Sequence, residues 1–288
     1  MIQSYTYAAE ESGSRFLVFG AVHGNEICGT EAMRRVMAEI DSGKLILARG
    51  QVTFVPVANP RAHANGQRFI DSNLNRSFLP SKTPKTYEAK LKNILAPMIE
   101  ASDVFLDLHS TTAGGIPFAS VEGLDEDENQ LAAAMGAEVL LFGWHEAYEA
   151  SGKTNPDPTE SIGTTAYARR HGAKAVLLEC GQHKAPESIE VAYHAIRNSL
   201  RHLGLTDEVI TDHQPQPLVI RATKVVYRPE GGGTFAENWG NFSPVTTGQH
   251  VATLPSGDKL LAPADGFIVL PNANTPPHSE WFYFGVKA

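Results

Sequence analysis

Cysteine is nearly absent: Cys28 and Cys180 are the two in 288 residues. That excludes a disulfide framework and fits small buried thiols in a reducing cytoplasm. There is no run of lysine and arginine, and the formal net charge is -8, so nucleic acid and anionic membrane are poor partners. No apolar stretch approaches the roughly 20 residues of a membrane span. The opening Met1-Ile2-Gln3-Ser4-Tyr5 lacks the charged and apolar regions of a signal peptide, and a cytoplasmic location is expected. Internal repeats and low-complexity segments are missing too. What remains is 42% hydrophobic and 19% charged residues, the balance of a soluble globular protein. The length suits one large domain, or one medium and one small.

The most informative stretch is Phe19-Gly20-Ala21-Val22-His23-Gly24-Asn25-Glu26. An apolar run, Arg15 to Phe19, precedes it with strand character. Gly20 and Gly24 allow a sharp turn where a side chain would clash. Beyond it, Met33, Val36, Met37 and Ile40 fall at helical spacing. His23 and Glu26 therefore lie on a loop from the carboxyl end of a strand into a helix, where open α/β sheets bind ligands. An imidazole and a carboxylate three apart on one turn can face a single divalent metal, and the pair suits zinc. A third candidate shares this architecture. The apolar strand Ala101 to His109 ends in the small-residue loop Ser110 to Gly115. Asp107 points to the same face as His109; it suits either a partner for the second ring N–H or a solvated or capping Asp.

The rest of the first two thirds alternates strand and helix. Gln51 to Pro60 reads as a buried strand stopped by Asn59-Pro60. Residues 61–78 form a long polar loop with Arg61, Arg68, Arg76, Asn73 and Asn75; long irregular loops are commonly functional. Thr86 to Met98 predicts a helix that Pro97 ends. Leu131 to Leu141 reads as a helix or a helix passing into a strand, Lys153 to Ser161 as a loop, and Ile162 to His171 as a short helix. Ala173 to Gly181 is another apolar strand, carrying Glu179 near its end; a carboxylate there is costly unless paired or used. Ser188 to Leu203 predicts an amphipathic helix. From Thr206 to Pro217 the composition is that of a linker. Beyond it, short apolar runs between Gly/Pro turns predict a small all-β domain. The alternation before residue 204 predicts an α/β domain with a mostly parallel sheet.

Four local motifs together resemble the succinylglutamate desuccinylase/aspartoacylase family, a branch of the zinc carboxypeptidase-like fold. They are Gly20-Ala21-Val22-His23-Gly24-Asn25-Glu26; Asn59-Pro60 followed by Arg68 to Phe78; Asp107-Leu108-His109-Ser110-Thr111-Thr112; and Leu178-Glu179-Cys180-Gly181. The resemblance implies an α/β fold with a mostly parallel mixed sheet flanked by helices, residues 1–205, and a β-rich domain, residues 206–288, capping the site. It implies one zinc ion per chain held by His23, Glu26 and His109. Glu179 matches the general base and later acid, and Arg68 the arginine that polarises the scissile carbonyl. Asn75 and Arg76 match the pair that grips a substrate carboxylate. The implied activity is zinc-dependent hydrolysis of the amide bond of a small N-acyl amino acid. Two departures stand out: Asn73 where members usually have Asp, and Ser-Thr-Thr-Ala-Gly-Gly-Ile after His109 where desuccinylases have Thr-Ala-Ile-Arg. The same residues also suit a metallocarboxypeptidase or a peptidoglycan-type amidase. Exposed β edges in the tail allow a homo-oligomer. His63, His145, His171 and His183 read as solvated or structural.

Overall fold

The computed structural model describes residues 1–112, 115–123, 125–151, 159, 161–208 and 216–288. In chain order these form β1 (Tyr5–Ala8), β2 (Glu11–Phe19), α1 (Cys28–Asp41), β3 (Arg49–Val55), α2 (Pro60–Ala64), α3 (Tyr87–Glu100), β4 (Val104–Thr111), β5 (Phe118–Ser120), α4 (Glu126–Ala134), β6 (Val139–Phe142), α5 (Trp144–Ala150), α6 (Thr164–Arg170), β7 (Lys174–Gln182) and α7 (Glu187–His202). The tail adds β8 (Leu218–Tyr227), β9 (Thr234–Phe235), β10 (Ser243–Val245), β11 (His250–Thr253), β12 (Lys259–Leu261), β13 (Gly266–Val269) and β14 (Glu280–Lys287).

The central strands are apolar on both faces, and their period of two decides which helices each side chain meets. In β2, Phe16 and Val18 join the core under α1, α4 and α7, while Leu17 and Phe19 join the core under α3 and α6. In β4, Leu106 and Leu108 face the first group and Phe105 the second. Parallel pairs β3–β2, β2–β4 and β4–β7 form the centre of the sheet. Their carboxyl ends therefore open on one edge. In register, Phe19 lies beside Asp107, and His109 beside Glu179. This is the α/β architecture with a mixed, largely parallel sheet.

The sheet does not stop at residue 205. β5 pairs antiparallel with β7 and parallel with β6, and β6 pairs with β8. β14, β13 and β10 follow β8 in antiparallel order, so eleven strands of the described residues share one sheet. Strands β12, β11 and β9 make a separate small antiparallel sheet. The tail is all-β among its described residues, as its Gly/Pro-punctuated runs predict.

Several expectations need correction in detail. Helix α3 runs three residues past Pro97. The proline lacks only its own N–H; its carbonyl still accepts from Ala101 N at 3.1 Å, and Ile99 beyond it is fully buried. Burial thus outweighs one missing bond. The 131–141 ambiguity resolves into both elements, α4 then β6. The polar loop opens with α2, capped by Asn59 Oδ1 and started by Pro60, a favourable first helical residue. Most of the 153–161 loop and residues 209–215 of the linker lie outside the described residues. Strands β1 and β5 and helix α5 are too short to carry a periodic signal.

Phe105 is fully buried and meets Phe19 edge-to-face at 4.9 Å. Phe105→Ala is expected to destabilise the fold by about 3–5 kcal/mol, read from the urea midpoint at unchanged slope. A loss below about 1 kcal/mol would mean that this face is loosely packed.

Candidate active site and metal centre

The turn that carries His23 begins with strain. Ala21 has φ 47°, a left-handed conformation that an L-residue adopts at a cost. Three backbone bonds hold it there: Gly20 N to Val55 O at 3.0 Å, Ala58 N to Gly20 O at 2.9 Å and Asn59 N to Ala21 O at 3.0 Å. Gly20 and Gly24 have no positive φ. They are needed for space. A Cβ on Gly24 would lie 2.2 Å from Ala62 C and from His63 N. The turn closes with Glu26 N donating to His23 O at 3.0 Å, and a ring nitrogen of His63 lies 3.0 Å from Gly24 O. Gly24 N in turn donates to Arg68 O at 3.1 Å, tying the turn to the arginine loop.

These contacts aim His23 and Glu26 at the end of β4. His23 Nδ1 lies 3.0 Å from Glu26 Oε1, and His109 Nδ1 lies 2.9 Å from Glu26 Oε2. The two imidazole Nδ1 atoms are 3.1 Å apart. All three side chains are buried. Ligands at about 2.0–2.1 Å around a tetrahedral zinc are themselves about 3.3 Å apart, so this triangle fits a divalent metal. The far ring nitrogens support the same reading. His109 Nε2 lies 3.0 Å from Asp107 Oδ2, which also accepts from Thr164 Oγ1 at 2.5 Å. His23 Nε2 lies 2.9 Å from Asn73 Oδ1. That oxygen also accepts the backbone N–H of Asn75 at 2.9 Å, which identifies it as the acceptor. His23 Nε2 then donates, and its Nδ1 lone pair is free for a cation.

Electrostatics follow from this packing. Burial pulls His23 down to about 4, against the attraction of Glu26. Burial also opposes the imidazolium of His109, but Asp107 and Glu26 outweigh it and hold the ring well above its ordinary range. Burial opposes ionisation of Glu26 as well, and the two histidines overcome it. Glu179 is pushed up to about 7 by burial and by the Glu26 carboxylate, against His109 and Arg68. Its Oε2 is buried with no hydrogen-bond partner among the described residues. A carboxyl group shifted in this way beside a cluster of metal-type donors marks a candidate functional residue.

The remaining candidates divide. Arg68 Nη1 donates to Glu26 Oε1 at 2.8 Å and the side chain is 46% exposed, so the guanidinium reaches both the centre and solvent. Asn75 is buried, and its Oδ1 accepts from Thr164 N at 2.8 Å; that half of the amide caps α6. Arg76 turns toward the tail. Burial opposes its charge, but Tyr148, Glu280 and Tyr283 more than compensate. Tyr148 Oη hydrogen-bonds Glu280 Oε1 and lies 2.8 Å from Tyr283 Oη. Sequence reasoning missed these three. The available signal was Glu280, a carboxylate heading the otherwise apolar Trp281-Phe282-Tyr283-Phe284 run. His183 was assigned no role, yet its Nδ1 lies 2.8 Å from Ser110 Oγ, and burial pulls it below the ordinary imidazole range. His171 caps α6 through Tyr167 O, and the side chain of His145 lies outside the described residues. Both cysteines are buried and free.

Comparison with known proteins agrees with this geometry. The profile of the succinylglutamate desuccinylase/aspartoacylase catalytic domain matches residues 12–203. The chain belongs to the succinylglutamate desuccinylase/aspartoacylase family. It is 32% identical over 260 residues to an N-alpha-acetyl-L-2,4-diaminobutyric acid deacetylase of Halomonas elongata, covering 86% of this chain and 72% of that protein. It is 23% identical over 280 residues to a succinylglutamate desuccinylase of Shewanella frigidimarina, covering 89% and 78%. A crystal structure of a succinylglutamate desuccinylase/aspartoacylase from Rhodobacter sphaeroides superposes with TM-score 0.78 at 18% identity, covering 96% and 87%. That last likeness concerns the fold. These relatives are deacylases of acylated amino acids by name, and a hydrolase is the consistent class. Among the described residues no helix is long and apolar enough to cross a membrane.

Gly24→Ala drives a methyl into backbone of the 62–67 segment. It is expected to cost about 3 kcal/mol, the upper end of overpacking penalties, and to weaken divalent-metal binding in calorimetric titration. Wild-type stability together with wild-type metal affinity would overturn the space argument.

Proposed function

We propose that this protein is a zinc-dependent deacylase that hydrolyses the amide bond of a small N-acyl amino acid or a similar small carboxylated amide. The observation that carries the proposal is the donor triangle of His23, Glu26 and His109, with Glu179 in register beside His109 on the next strand. The names of the relatives, a diaminobutyrate deacetylase and a succinylglutamate desuccinylase, support the bond type and substrate class.

His23, Glu26 and His109 would hold the ion, three protein ligands being the set that catalytic zinc sites use. When bound, zinc supplies Lewis acidity that activates water as a nucleophile near neutral pH. Glu179 takes the proton of the attacking water and passes it to the leaving amine. Arg68 swings from Glu26 toward the oxyanion of the tetrahedral intermediate. The Nδ2 end of Asn75 and the guanidinium of Arg76 hold the substrate carboxylate and fix the amide over the centre. The β-rich tail, residues 206–288, caps the site; the approach of Glu280 and Tyr283 to Arg76 supports this. Free buried thiols are compatible with a reducing cytoplasm.

Glu179→Gln is expected to keep its zinc while kcat falls about 10²–10⁴-fold. His23→Ala is expected to lose the metal, as read by elemental analysis of protein purified without chelator. Retained turnover in the first variant would remove Glu179 as the base. The pH profile adds a check. A cation at the centre stabilises the Glu179 carboxylate and lowers its pKa from about 7 toward the ordinary 4.5. The rate rises with pH as the base loses its proton, so kcat/KM should show an acid limb centred within that window. A limb centred well above 7 would point to a different base. Screening N-acetyl-, N-succinyl- and N-formyl-amino acids against short peptides, with added zinc, tests the substrate class; turnover of peptides alone would refute it.

A further inference from the structure

The loop bearing Arg68, Asn73, Asn75 and Arg76 is not held by its own hydrogen bonds alone. It is wrapped on the first two turns of α3. Glu88 in the first turn is fully buried, and its carboxylate faces a fan of N–H donors. Oε1 accepts from Ile70 N at 2.7 Å and Asn59 Nδ2 at 3.2 Å. Oε2 accepts from Asp71 N at 3.0 Å and Ser72 N at 3.1 Å. Four donors fill the acceptor sites of a carboxylate. One turn on, and on the same helix face, Lys92 Nζ donates to Arg76 O at 2.8 Å and Ser77 O at 2.9 Å. Ser77 has φ 44°, so the cation grips the chain at a strained residue.

The contacts are reciprocal. Asp71 Oδ2 accepts from Tyr87 N, the first residue of α3, at 2.7 Å. Asn93 closes the far end: its Oδ1 accepts from Ser81 N at 2.8 Å and its Nδ2 donates to Ser81 O at 2.7 Å. The chemistry is directional. A carboxylate collects the backbone N–H groups of residues 70–72, ahead of Asn73, and an ammonium collects the carbonyls of Arg76 and Ser77 behind Asn75. Neither charge is needed to make a helix, and burying each is costly. The return is the position of the loop between them, where Asn73 meets His23 and Arg76 turns to the tail.

We propose that Glu88 and Lys92 are positioning residues for the reaction, a two-charge clamp that fixes the 70–77 backbone so that Arg68 and Asn73 reach the His23–Glu26–His109 centre. The kinetic part of the proposal rests on the deacylase reading; the structural part does not. Glu88→Gln is nearly isosteric, but its amide nitrogen must face one pair of N–H donors. Lys92→Met keeps the apolar stem and removes the charge. Lys92→Arg retains a cation.

The test combines two readouts on the full chain with zinc added. Amide hydrogen exchange at residues 70–77 should rise about 10–100-fold in Glu88→Gln and Lys92→Met, the loss of hydrogen bonds to a charged group, while β2 and β4 stay protected. On an N-acyl amino acid turned over by the wild type, kcat/KM should fall by about 10²-fold, the cost of a misplacement near 1 Å, with zinc content retained. Lys92→Arg should recover much of both. Unchanged exchange in both variants overturns the clamp. Raised exchange with wild-type kcat/KM overturns its role in the reaction. If Glu88→Gln does not fold, Lys92→Met with its arginine rescue decides by the same two readouts. A wild type that turns over none of these substrates refutes the deacylase reading instead, and the exchange data still decide whether the clamp holds the loop.

Discussion

The carboxylate of Glu26 is the point at which three separate parts of the chain meet. Its Oε1 takes His23 from its own turn and Arg68 from the polar loop. Its Oε2 takes His109 and the backbone N–H of Ser110 from β4. A lone carboxylate this deeply buried would cost several kcal/mol. Two imidazoles, a guanidinium and an amide proton offset that cost and hold Glu26 ionised. The surrounding architecture serves this cluster. Parallel strands bring two ends to one edge, the strained Ala21 turns the chain, and the absence of a Cβ at Gly24 lets the arginine loop lie against the turn.

The two histidines are backed differently. His109 leans on the buried carboxylate of Asp107, whereas His23 leans on the neutral amide of Asn73. A carboxylate partner raises the basicity of an imidazole more than an amide does. Asp107 and Glu26 hold His109 high, and burial pulls His23 down. Asn73, the position that resemblance singles out as a departure from Asp, gives His23 an amide partner in place of a carboxylate.

The tail is tied to the catalytic part by the sheet itself. β6 joins β8 in parallel, and β14 runs back along β8. Glu280 and Tyr283 sit on β14, and with Tyr148 of α5 they face Arg76. Continuous hydrogen bonding through the sheet joins the tail to the rest of the chain, unlike a flexibly linked module.

Much of this was legible in the sequence because the signal was local. Apolar runs ending at His109 and Glu179 marked strands, Gly24 marked a close approach, and Asp107 two before His109 shared its face by strand geometry alone. The H-x-x-E turn placed two donors on one loop. What the chain order could not reveal depends on partners far apart. Whether a polar side chain serves a ligand or the fold is settled by what lies opposite it. Asn75 spends its oxygen on α6, Glu88 spends both of its oxygens on the loop, and Arg76 meets a carboxylate from more than 200 residues away. Pro97 stops a helix only if nothing beyond it is buried, and Ile99 is. The sequence alone determined the element types and the donor chemistry, since these follow from side-chain pattern and residue type. The tertiary structure alone decided the triangle, the clamp and the shared sheet, because each requires strand ends and helix faces to arrive at a common place.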